Sequence, residues 1–452
     1  NIDNKKSLLC RRWKLRDFDE RNVIYFSQKH NLKYIVSKLL SIRGVDKDYI
    51  ENFLNPNINN DIPNPAKLKD IEKATSRVIQ AINKKERIGI IADYDVDGST
   101  SASILFKFLK NFTSSIILKI PNRLVDGYGP NIKLMKEMLD NKVDLLLTLD
   151  CGTTSNEIID NKEFKNIDVI VIDHHLSEIN LPNVLAIINP NREDDTSDYK
   201  QLAAVGVTFL FLMYLRKKLR ELNKFSKIKE PNLLSYLDLV ALGTVCDVVE
   251  LKRYNRLFVK KGLELIHKRY HRGIAKLIDN SKIASSPTSQ DLGFVVGPQI
   301  NAASRIDDSS LASKLLISND IEQIDSISRK LFLLNEKRKL IESQILDEAN
   351  NQAANQTNSN FILVFGNNWH QGVLGVIASK IKDIYYKPTI VISFSNNIGI
   401  GSARSIENVD LGKIILNAKS EKLLISGGGH SMAAGLKINF SNMENFKIYL
   451  EK

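Results

Sequence analysis

Three short apolar segments of the sequence each run directly into acidic or imidazole side chains, and this pattern restricts the possible folds more than any other. The segments cover residues 88–92, 143–149 and 167–172, and stretches with a helical pattern separate them. Strands that alternate with helices in this way predict an α/β fold with a mostly parallel sheet covered on both faces. The side chains that follow the three segments are Asp93 and Asp95, then Asp150, then Asp173, His174 and His175.

These strand ends predict a metal site. The carboxyl ends of parallel strands lie along one edge of a sheet, where ligands bind in a crevice, so residues far apart in sequence converge there. Several carboxylates gathered in a crevice repel one another unless a cation neutralises them. Carboxylates with one or two imidazoles suit Mn²⁺ or Mg²⁺, and bridging carboxylates can hold two ions about 3.5 to 4 Å apart for phosphoester hydrolysis. A single acidic tract would be explained as well by a solvated loop or a helix cap.

Length and composition indicate a globular protein of two or three domains. The chain has 452 residues, 43% of them hydrophobic, and a formal net charge of +12. This charge favours a polyanionic partner, although a generally basic surface explains it equally well. No apolar run is long enough to span a bilayer and the N-terminus has no signal-peptide core, so we expect a cytoplasmic location. The sequence starts at Asn1 rather than Met, as expected of a fragment or a trimmed chain.

The cysteine pattern excludes two classes of protein. Cys10, Cys151 and Cys246 are too few for a disulfide framework, and no Cys-X-X-Cys pair suggests a zinc site. Cys151 and Cys246 each lie beside an aspartate of interest, and we expect both to be small packing residues.

A long segment without Gly or Pro divides the chain. Residues 321–350 are rich in Leu, Glu, Lys and Arg, which predicts one stiff helix. Strand and helix patterns resume beyond the polar stretch 350–360. We therefore expect a first domain with its N-terminal segment at 1–316, a connecting helix at 317–355 and a smaller domain at 356–452.

Four short motifs carry a family resemblance. "DYDVDG" (93–98), "LLTLDCG" (146–152), "VIDHH" (171–175) and "LGTVCDVVE" (242–250) resemble the motifs of the DHH phosphoesterase superfamily. Longer stretches resemble the RecJ family of bacterial single-strand-specific 5′→3′ DNA exonucleases; they include "PNRLVDGYG" (121–129), "AIINPNR" (186–192), "VVGPQINAASRIDD" (295–308), "GSARS" (401–405) and "SGGGHSMAAG" (426–435). The resemblance implies a parallel-sheet α/β DHH domain, joined by a long helix to a smaller mixed α/β DHHA1 domain.

The resemblance also implies roles for the acidic residues. Two divalent cations, Mn²⁺ or Mg²⁺, would be held by Asp93, Asp95, Asp150, His174 and Asp247, with Asp150 as the bridge. His175 would contact the scissile phosphate or orient water. Asp97 matches the third aspartate of the first motif, where we expect it to hold the turn, and Asp173 would fix the imidazole.

Further residues match the family's contacts with DNA. Arg123, Ser402 and Arg404 match a pocket for the 5′-terminal phosphate, and guanidinium groups bind phosphate bidentately. Arg305 matches an arginine near the substrate path. His430 follows glycines whose backbone amides can approach phosphates. Gln299 and Ser304 stand where arginine and glycine are frequent in the family.

The function implied is a 5′→3′ exonuclease for single-stranded DNA that releases 5′ mononucleotides in DNA repair and recombination. A single-strand-binding protein and a RecQ-type helicase are candidate partners, and we expect a monomer. The OB-fold that usually follows in the family has no room after residue 435, which should weaken the grip on DNA. Two alternatives stay open: a phosphodiesterase for short oligonucleotides or cyclic dinucleotides, and a non-catalytic DNA-binding relative.

Overall fold

The computed structural model describes residues 7–8, 12–177, 179–283 and 285–451, without the side chain of Asn60. Cys10 lies outside these residues. Three helices form a small N-terminal unit around Phe26, Leu40 and Ile50. A short fourth helix packs against the core of the first domain through Ile58, and a fifth leads into the first sheet. These are α1 (Glu20–Lys29), α2 (Tyr34–Ile42), α3 (Ile50–Leu54), α4 (Ile58–Asp61) and α5 (Ile71–Lys84).

The first sheet has five parallel strands in the order β2-β1-β3-β4-β5. Alternate residues of β3 face opposite cores: Leu145 and Leu147 face the helices that follow β1 and β5, and Leu146 packs with Met135 and Met138 on the other side. The expected α/β fold with helices on both faces is confirmed. Its elements are β1 (Ile88–Ala92), α6 (Val96–Leu109), β2 (Ile116–Lys119), α7 (Ile132–Asp140), β3 (Leu145–Leu149), α8 (Asn156–Ile159), β4 (Asp168–Ile172) and β5 (Ala186–Ile188).

The segment between β3 and β4, which has a helical pattern in the sequence, does not form one continuous helix. It forms only the single turn α8 and a separate 3₁₀ turn, Lys162–Phe164. The side chain of Asn161 accepts a hydrogen bond from the backbone N–H of Glu163 and so starts the second turn afresh. Asn side chains that bond to nearby backbone compete with helix continuation in this way.

A layer of helices covers one face of the first sheet and carries the chain to the second domain. Helix α9 is buried over its apolar first turns, and its charged last turn is exposed. A π-helical turn, Leu292–Val296, leads directly into α14. The helices are α9 (Ala204–Glu221), α10 (Leu237–Cys246), α11 (Arg253–His267), α12 (Arg272–Asn280), α13 (Ser289–Asp291), α14 (Gly297–Ile306) and α15 (Leu311–Ile317).

One helix of 34 residues, α16 (Ile321–Ala354), connects the two sheets. It packs against α12 and α14 with its first half and against the second sheet with its last turns. The connector predicted at 317–355 contains this helix; the domain limits themselves stay a prediction. No helix of the described ranges is long and apolar enough to cross a membrane.

The second sheet is mixed, in the order β6-β7-β8-β10-β9, with β6 and β7 parallel and the other pairs antiparallel. Helices α16 and α17 cover part of one face, and α18 and α19 cover the other. The smaller mixed α/β domain is therefore confirmed. Its elements are β6 (Ile362–Asn367), α17 (Leu374–Tyr385), β7 (Thr389–Ser395), β8 (Ile398–Arg404), α18 (Leu411–Ser420), β9 (Ser426–His430), β10 (Ala433–Asn439) and α19 (Met443–Glu451).

Candidate functional site

The carboxyl ends of β1, β3 and β4 meet at one edge of the first sheet, and the side chains that follow them lie together. Nε2 of His174 is 3.4 Å from a carboxylate oxygen of Asp150 and 3.5 Å from one of Asp247. We call the whole set the acidic cluster. Three overlapping groups in it have ligand atoms within 4.8 Å of one another: Asp93, Asp95 and Asp150; Asp150, His174 and His175; Asp97, His174 and Asp247.

The first turn of α6 fixes the two aspartates that follow β1. Asp95 is the N-cap of α6, and its side chain accepts a hydrogen bond from the backbone N–H of Gly98 at 3.0 Å. A Cβ on Gly98 would lie 2.3 Å from the carbonyl oxygen of Asp93. Only glycine lets the helix start this close to the strand end.

Asp150 lies in a strained turn at the end of β3. Its φ of 58° is in the left-handed region, which few residues other than glycine adopt. The hydroxyl of Tyr128 donates a hydrogen bond to the Asp150 carbonyl at 2.8 Å and lies 3.2 Å from Nδ1 of His175. Tyr128 therefore braces two members of the acidic cluster, a role that sequence reasoning missed although "VDGYG" is part of a quoted motif.

Asp247 reaches the acidic cluster from a helix rather than from a strand. It is the C-cap of α10, and the next residue, Val248, has φ 61° and is 86% exposed. A β-branched residue in the left-handed region is an outlier that marks a tightly constrained turn. The strand-end pattern could not find Asp247; the motif "GTVCDVVE" was the available signal.

Asp97 accepts backbone hydrogen bonds with both carboxylate oxygens. The donors are the N–H groups of Ala204 at 2.7 Å and Val205 at 2.9 Å, at the start of α9. Since both oxygens are already used, Asp97 holds α9 against α6, whereas the turn that it was expected to hold is capped by Asp95. Its nearest approach to the imidazole of His174 is 3.9 Å.

Asp173 organises the two histidines that follow it. Oδ1 accepts hydrogen bonds from the backbone N–H of His174 at 2.7 Å and lies 2.8 Å from Nδ1 of His175, while Oδ2 accepts from Thr153 N. The imidazole that Asp173 fixes is thus that of His175. This contact raises the pKa of His175 to about 9 despite its burial and, with His174, lowers the pKa of Asp173.

The electrostatics of the acidic cluster call for a cation. Burial raises the pKa of Asp93, Asp97 and Asp150 well above the usual range, and neighbouring carboxylates raise it further. Among the described residues, Asp93 Oδ1, His174 Nε2 and Asp247 Oδ2 are buried without a hydrogen-bond partner. Buried polar atoms of this kind need a ligand. Oxygen donors with one imidazole suit Mn²⁺ or Mg²⁺, so the residues fit the predicted ions.

Two asparagines after β5 clamp the histidine loop, and sequence reasoning did not single them out. The Asn189 amide donates to the carbonyl of His175 at 2.9 Å and to the hydroxyl of Thr153 at 3.0 Å. The Asn191 amide donates to the carbonyl of His174 at 2.5 Å. Both belong to the motif "AIINPNR" (186–192), but the resemblance of this motif to the family did not indicate what either asparagine does.

A group of arginines lies where the two domains meet, and we call it the arginine cluster: Arg123, Arg305, Arg338 and Arg404. Burial and the positive charges of Arg123, Arg338 and Arg404 together lower the pKa of Arg305 to about 9. The Arg123 guanidinium stacks over the ring of Tyr94, 5.0 Å from its centroid. Arg338 pairs with Glu342, whereas no carboxylate among the described residues forms an ion pair with Arg123, Arg305 or Arg404. Unpaired guanidinium groups that lie together suit an anionic ligand.

Residues of the second domain complete this anion site. Nη1 of Arg404 lies 3.3 Å from the hydroxyl of Ser402. Gly375, in the first turn of α17, packs against both side chains, so the positive end of this helix also faces them. Arg305 donates to the carbonyl of Gly372 at 2.9 Å across the domain boundary. The structure thus unites Arg123, Arg305, Ser402 and Arg404.

His430 is not joined to these residues by any hydrogen bond or ion pair within the described part of the chain. It lies at the exposed end of β9, where it pairs with Ala433 of β10. The sheet surface beside it is open, since a Cβ on Gly428 or Gly435 would meet nothing within 4 Å. Its predicted contact with DNA stays a prediction.

Family models match both domains. The DHH family, N-terminal domain, matches residues 87–244, and the DHHA1 domain matches residues 358–452. The chain is 37% identical over 395 residues to the single-stranded-DNA-specific exonuclease RecJ of Haemophilus influenzae, covering 85% of this chain and 69% of that one.

Solved structures match as well. The crystal structure of exonuclease RecJ bound to manganese aligns with a TM-score of 0.73 at 30% identity, over 85% of this chain and 94% of that chain. RecJ from Thermus thermophilus in complex with Mn²⁺ aligns with a TM-score of 0.82 at 26% identity, over 97% of this chain and 61% of the other.

Proposed function

The chain belongs to the RecJ family of single-stranded-DNA-specific exonucleases, and we propose from this and from its site that it degrades single-stranded DNA from the 5′ end and releases 5′ mononucleotides. The single observation that carries the proposal is the pairing of two sites: an acidic cluster fit for metal and an arginine cluster fit for a terminal phosphate. One hydrolyses a phosphodiester, and the other selects the end of a strand. The family places this activity in DNA repair and recombination.

We assign two divalent cations, Mn²⁺ or Mg²⁺, to the acidic cluster, where Asp93, Asp95, Asp150, His174 and Asp247 would hold them. When bound, the ions supply Lewis-acid chemistry: a more nucleophilic water molecule and neutralisation of the charge that develops on the phosphate. Asp150 is the proposed bridge because it is the carboxylate that belongs to two of the three ligand groups.

The chain's own residues then orient the substrate. Asp173 and Tyr128 hold the ring of His175 in place beside the proposed ions. A ring fixed in this position would contact the scissile phosphate or orient water. Asp97 holds α9 against α6, and Asn189 and Asn191 hold the loop that carries His174 and His175.

The end of the strand is recognised by charge. We assign the 5′-terminal phosphate to Arg123, Ser402 and Arg404, with Arg305 beside them. Guanidinium groups bind phosphate oxygens bidentately, and burial strengthens each such contact. When the 5′-terminal phosphate is held here, the first phosphodiester of the strand is the bond that is hydrolysed. Each cut therefore releases one mononucleotide.

The protein partners and the setting remain part of the proposal. A single-strand-binding protein and a RecQ-type helicase are proposed because both deliver single strands, and the chain is proposed to act as a monomer. A cytoplasmic location is proposed because DNA is the substrate. His430 and the open glycine surface beside it are proposed to contact the strand.

Two other functions are less well supported. A phosphodiesterase for short oligonucleotides or cyclic dinucleotides needs no long basic path, whereas here the arginine cluster continues into a basic cavity along α14 and α16. A non-catalytic relative needs no complete set of ligands, whereas here all five proposed ligands are present and lie together. Both alternatives are outcomes of the test below.

The test is digestion of single strands carrying a 5′ or an internal label, with Mn²⁺ or Mg²⁺, beside duplex and dinucleotide controls. We expect mononucleotides to be released from the 5′ end and Asp150→Ala to abolish the release. Faster hydrolysis of dinucleotides than of long strands would favour the oligonucleotide phosphodiesterase. Binding without hydrolysis would favour the non-catalytic relative.

A further inference from the structure

Tyr94 stands between two proposed metal ligands, and the mechanism described so far gives it no role. The motif "DYDVDG" (93–98) places it after Asp93 and before Asp95, the N-cap of α6. Its side chain is half-buried, and its hydroxyl has no hydrogen-bond partner among the described residues. The ring instead contacts a residue of the arginine cluster. The guanidinium of Arg123 lies over its face, 5.0 Å from the centroid.

The loop that carries Arg123 is fixed through its backbone. Asp126 accepts a hydrogen bond from the N–H of Asn122 at 2.8 Å, and the buried hydroxyl of Ser309 accepts one from the N–H of Arg123 at 3.4 Å. The guanidinium itself has no hydrogen bond and no carboxylate partner in the part of the chain that the structure describes. Stacking on Tyr94 is therefore the contact that holds this end of the side chain. A cation that is held before the ligand arrives loses less conformational freedom on binding.

The charges that act on the Tyr94 ring come from both clusters. Burial and the charges of Asp93 and Asp95 raise the pKa of Tyr94 to about 12. The positive charges of Arg123 and Arg305 act in the opposite direction. The face of an aromatic ring attracts a guanidinium, and the attraction is stronger where water is excluded. The ring can thus hold a cation of the arginine cluster at a set distance from ligands of the acidic cluster.

We propose that Tyr94 is a positioning residue that holds Arg123 for the 5′-terminal phosphate and sets the distance of this phosphate from the metal centre. Tyr94 is joined directly to Asp93 and Asp95 in the chain, so this distance is set within the first domain. A set distance selects the first phosphodiester for hydrolysis, and one nucleotide is released at each cut. The inference rests on the proposed function, because the anion that Arg123 binds is the end of the DNA strand.

The first experiment measures binding in EDTA, where hydrolysis does not interfere. Fluorescence anisotropy gives Kd for 5′-hydroxyl and 5′-phosphorylated thymidine oligonucleotides, and the ratio of the two values is the phosphate preference. Tyr94→Leu keeps an apolar side chain but removes the aromatic face, and it should lower the phosphate preference about fivefold or more. Tyr94→Phe keeps the face and should show the wild-type preference.

A double-mutant cycle tests whether Tyr94 acts through Arg123. Arg123→Ala should lower the phosphate preference by itself, and the addition of Tyr94→Leu should lower it no further. Phe53→Leu is the matched control, because the guanidinium of Arg256 stacks over Phe53 of the small N-terminal unit at 3.9 Å. This variant loses the same kind of contact and should keep the wild-type phosphate preference.

Product length is the second readout, and a general loss of stability would not change it. With Mn²⁺ and a 5′-phosphorylated strand, the wild-type protein and Tyr94→Phe should release mononucleotides alone. Tyr94→Leu should also release dinucleotides, because the end of the strand is no longer held at one distance from the metal centre. Release of mononucleotides alone by Tyr94→Leu would overturn the role of Tyr94 in setting this distance.

An unchanged phosphate preference in Tyr94→Leu would overturn the proposal, and so would effects of Tyr94→Leu and Arg123→Ala that add in full. A loss of preference in Tyr94→Phe would assign the effect to the hydroxyl and overturn it too; this variant puts folding at little risk. The proposed function is tested separately by the wild-type protein. Hydrolysis by a wild-type chain whose preference does not depend on Tyr94 would keep the exonuclease and reject the positioning role. A phosphate preference that depends on Tyr94, without any hydrolysis, would do the reverse.

Discussion

Asp173 Oδ1 lies 2.8 Å from Nδ1 of His175, and the same oxygen also accepts the backbone N–H of His175 at 3.2 Å. One carboxylate oxygen thus fixes both the ring and the backbone of the residue next to the proposed metal ligand His174. In the metal-free protein this contact raises the pKa of His175 to about 9, although burial acts in the opposite direction.

Replacement of Asp173 by Asn should therefore reduce nuclease activity, because the ring of His175 loses the carboxylate that holds it. We expect a loss of about 10- to 100-fold, the usual effect of removing a residue that orients a ligand. The pKa of His175 in metal-free protein should fall towards its ordinary value, which NMR titration of the ring measures. Unchanged titration of His175 in this variant would contradict the assignment, whatever the activity.

Replacement of Asp97 by Ala should destabilise the fold. It leaves the buried N–H groups of Ala204 and Val205 without an acceptor, at a cost of about 2 to 4 kcal/mol in the free energy of unfolding. Urea denaturation gives this value. Asp97→Asn keeps one oxygen acceptor and should lose less. A loss as large in the Asn variant would show that charge, rather than the capping bonds, stabilises the start of α9.

Replacement of Arg404 by Ala should weaken recognition of the strand end. Comparison of kcat/KM on 5′-phosphorylated and 5′-hydroxyl strands isolates this contact, because only the first strand carries the terminal phosphate. We expect the preference for the phosphorylated strand to fall about 10-fold or more, since hydrogen bonds to charged groups are worth about 1.5 to 3 kcal/mol. Lys413→Ala, at an exposed cation of the same domain, is the control. An unchanged preference in Arg404→Ala would remove this residue from the phosphate pocket.

Asp238 should make stability depend on pH. It is fully buried on α10, and burial raises its pKa to about 7 although the charge of Lys107 acts in the opposite direction. Because the folded state binds this proton more tightly than the unfolded state, the contribution of Asp238 to stability is highest at low pH and falls between about pH 4 and 7. The loss reaches at most about 4 kcal/mol above pH 7.

The Asp238→Asn variant tests this dependence. Its side-chain oxygen can still accept the hydrogen bond from Leu239 N, and it has no charge to bury. Chemical denaturation at pH 5 and pH 8 should show a smaller difference in this variant than in the wild-type protein. An identical difference in the two proteins would place the pH dependence elsewhere.

The convergence of strand ends was the part of the site that could be predicted from the residues themselves. Parallel strands share a direction, so Asp93, Asp150 and His174 had to meet at one edge once the strands were recognised. The family resemblance supplied Asp247 and the residues proposed to bind the terminal phosphate, which no periodicity could reveal. Helix α10 presents Asp247 from its C-terminal end, a position that depends on packing over the whole first domain.

The contacts that depend on tertiary packing could not be predicted. Tyr128 and His175 meet across 47 residues of sequence, and the two clamping asparagines meet the histidine loop from another strand. Arg305 and Gly372 meet across the domain boundary, where a Cβ on the glycine would lie 2.1 Å from the Arg305 carbonyl oxygen. Such contacts are set by the relative position of whole elements, which local sequence does not encode.

Titration of the metal-free protein with Mn²⁺, followed by calorimetry, tests most directly whether the acidic cluster is a metal centre. We expect uptake of about two ions per chain, with Asp150→Asn losing at least one of them while its thermal unfolding stays cooperative. No uptake of Mn²⁺ by the wild-type protein, or the same uptake by the Asp150→Asn variant, would contradict the account.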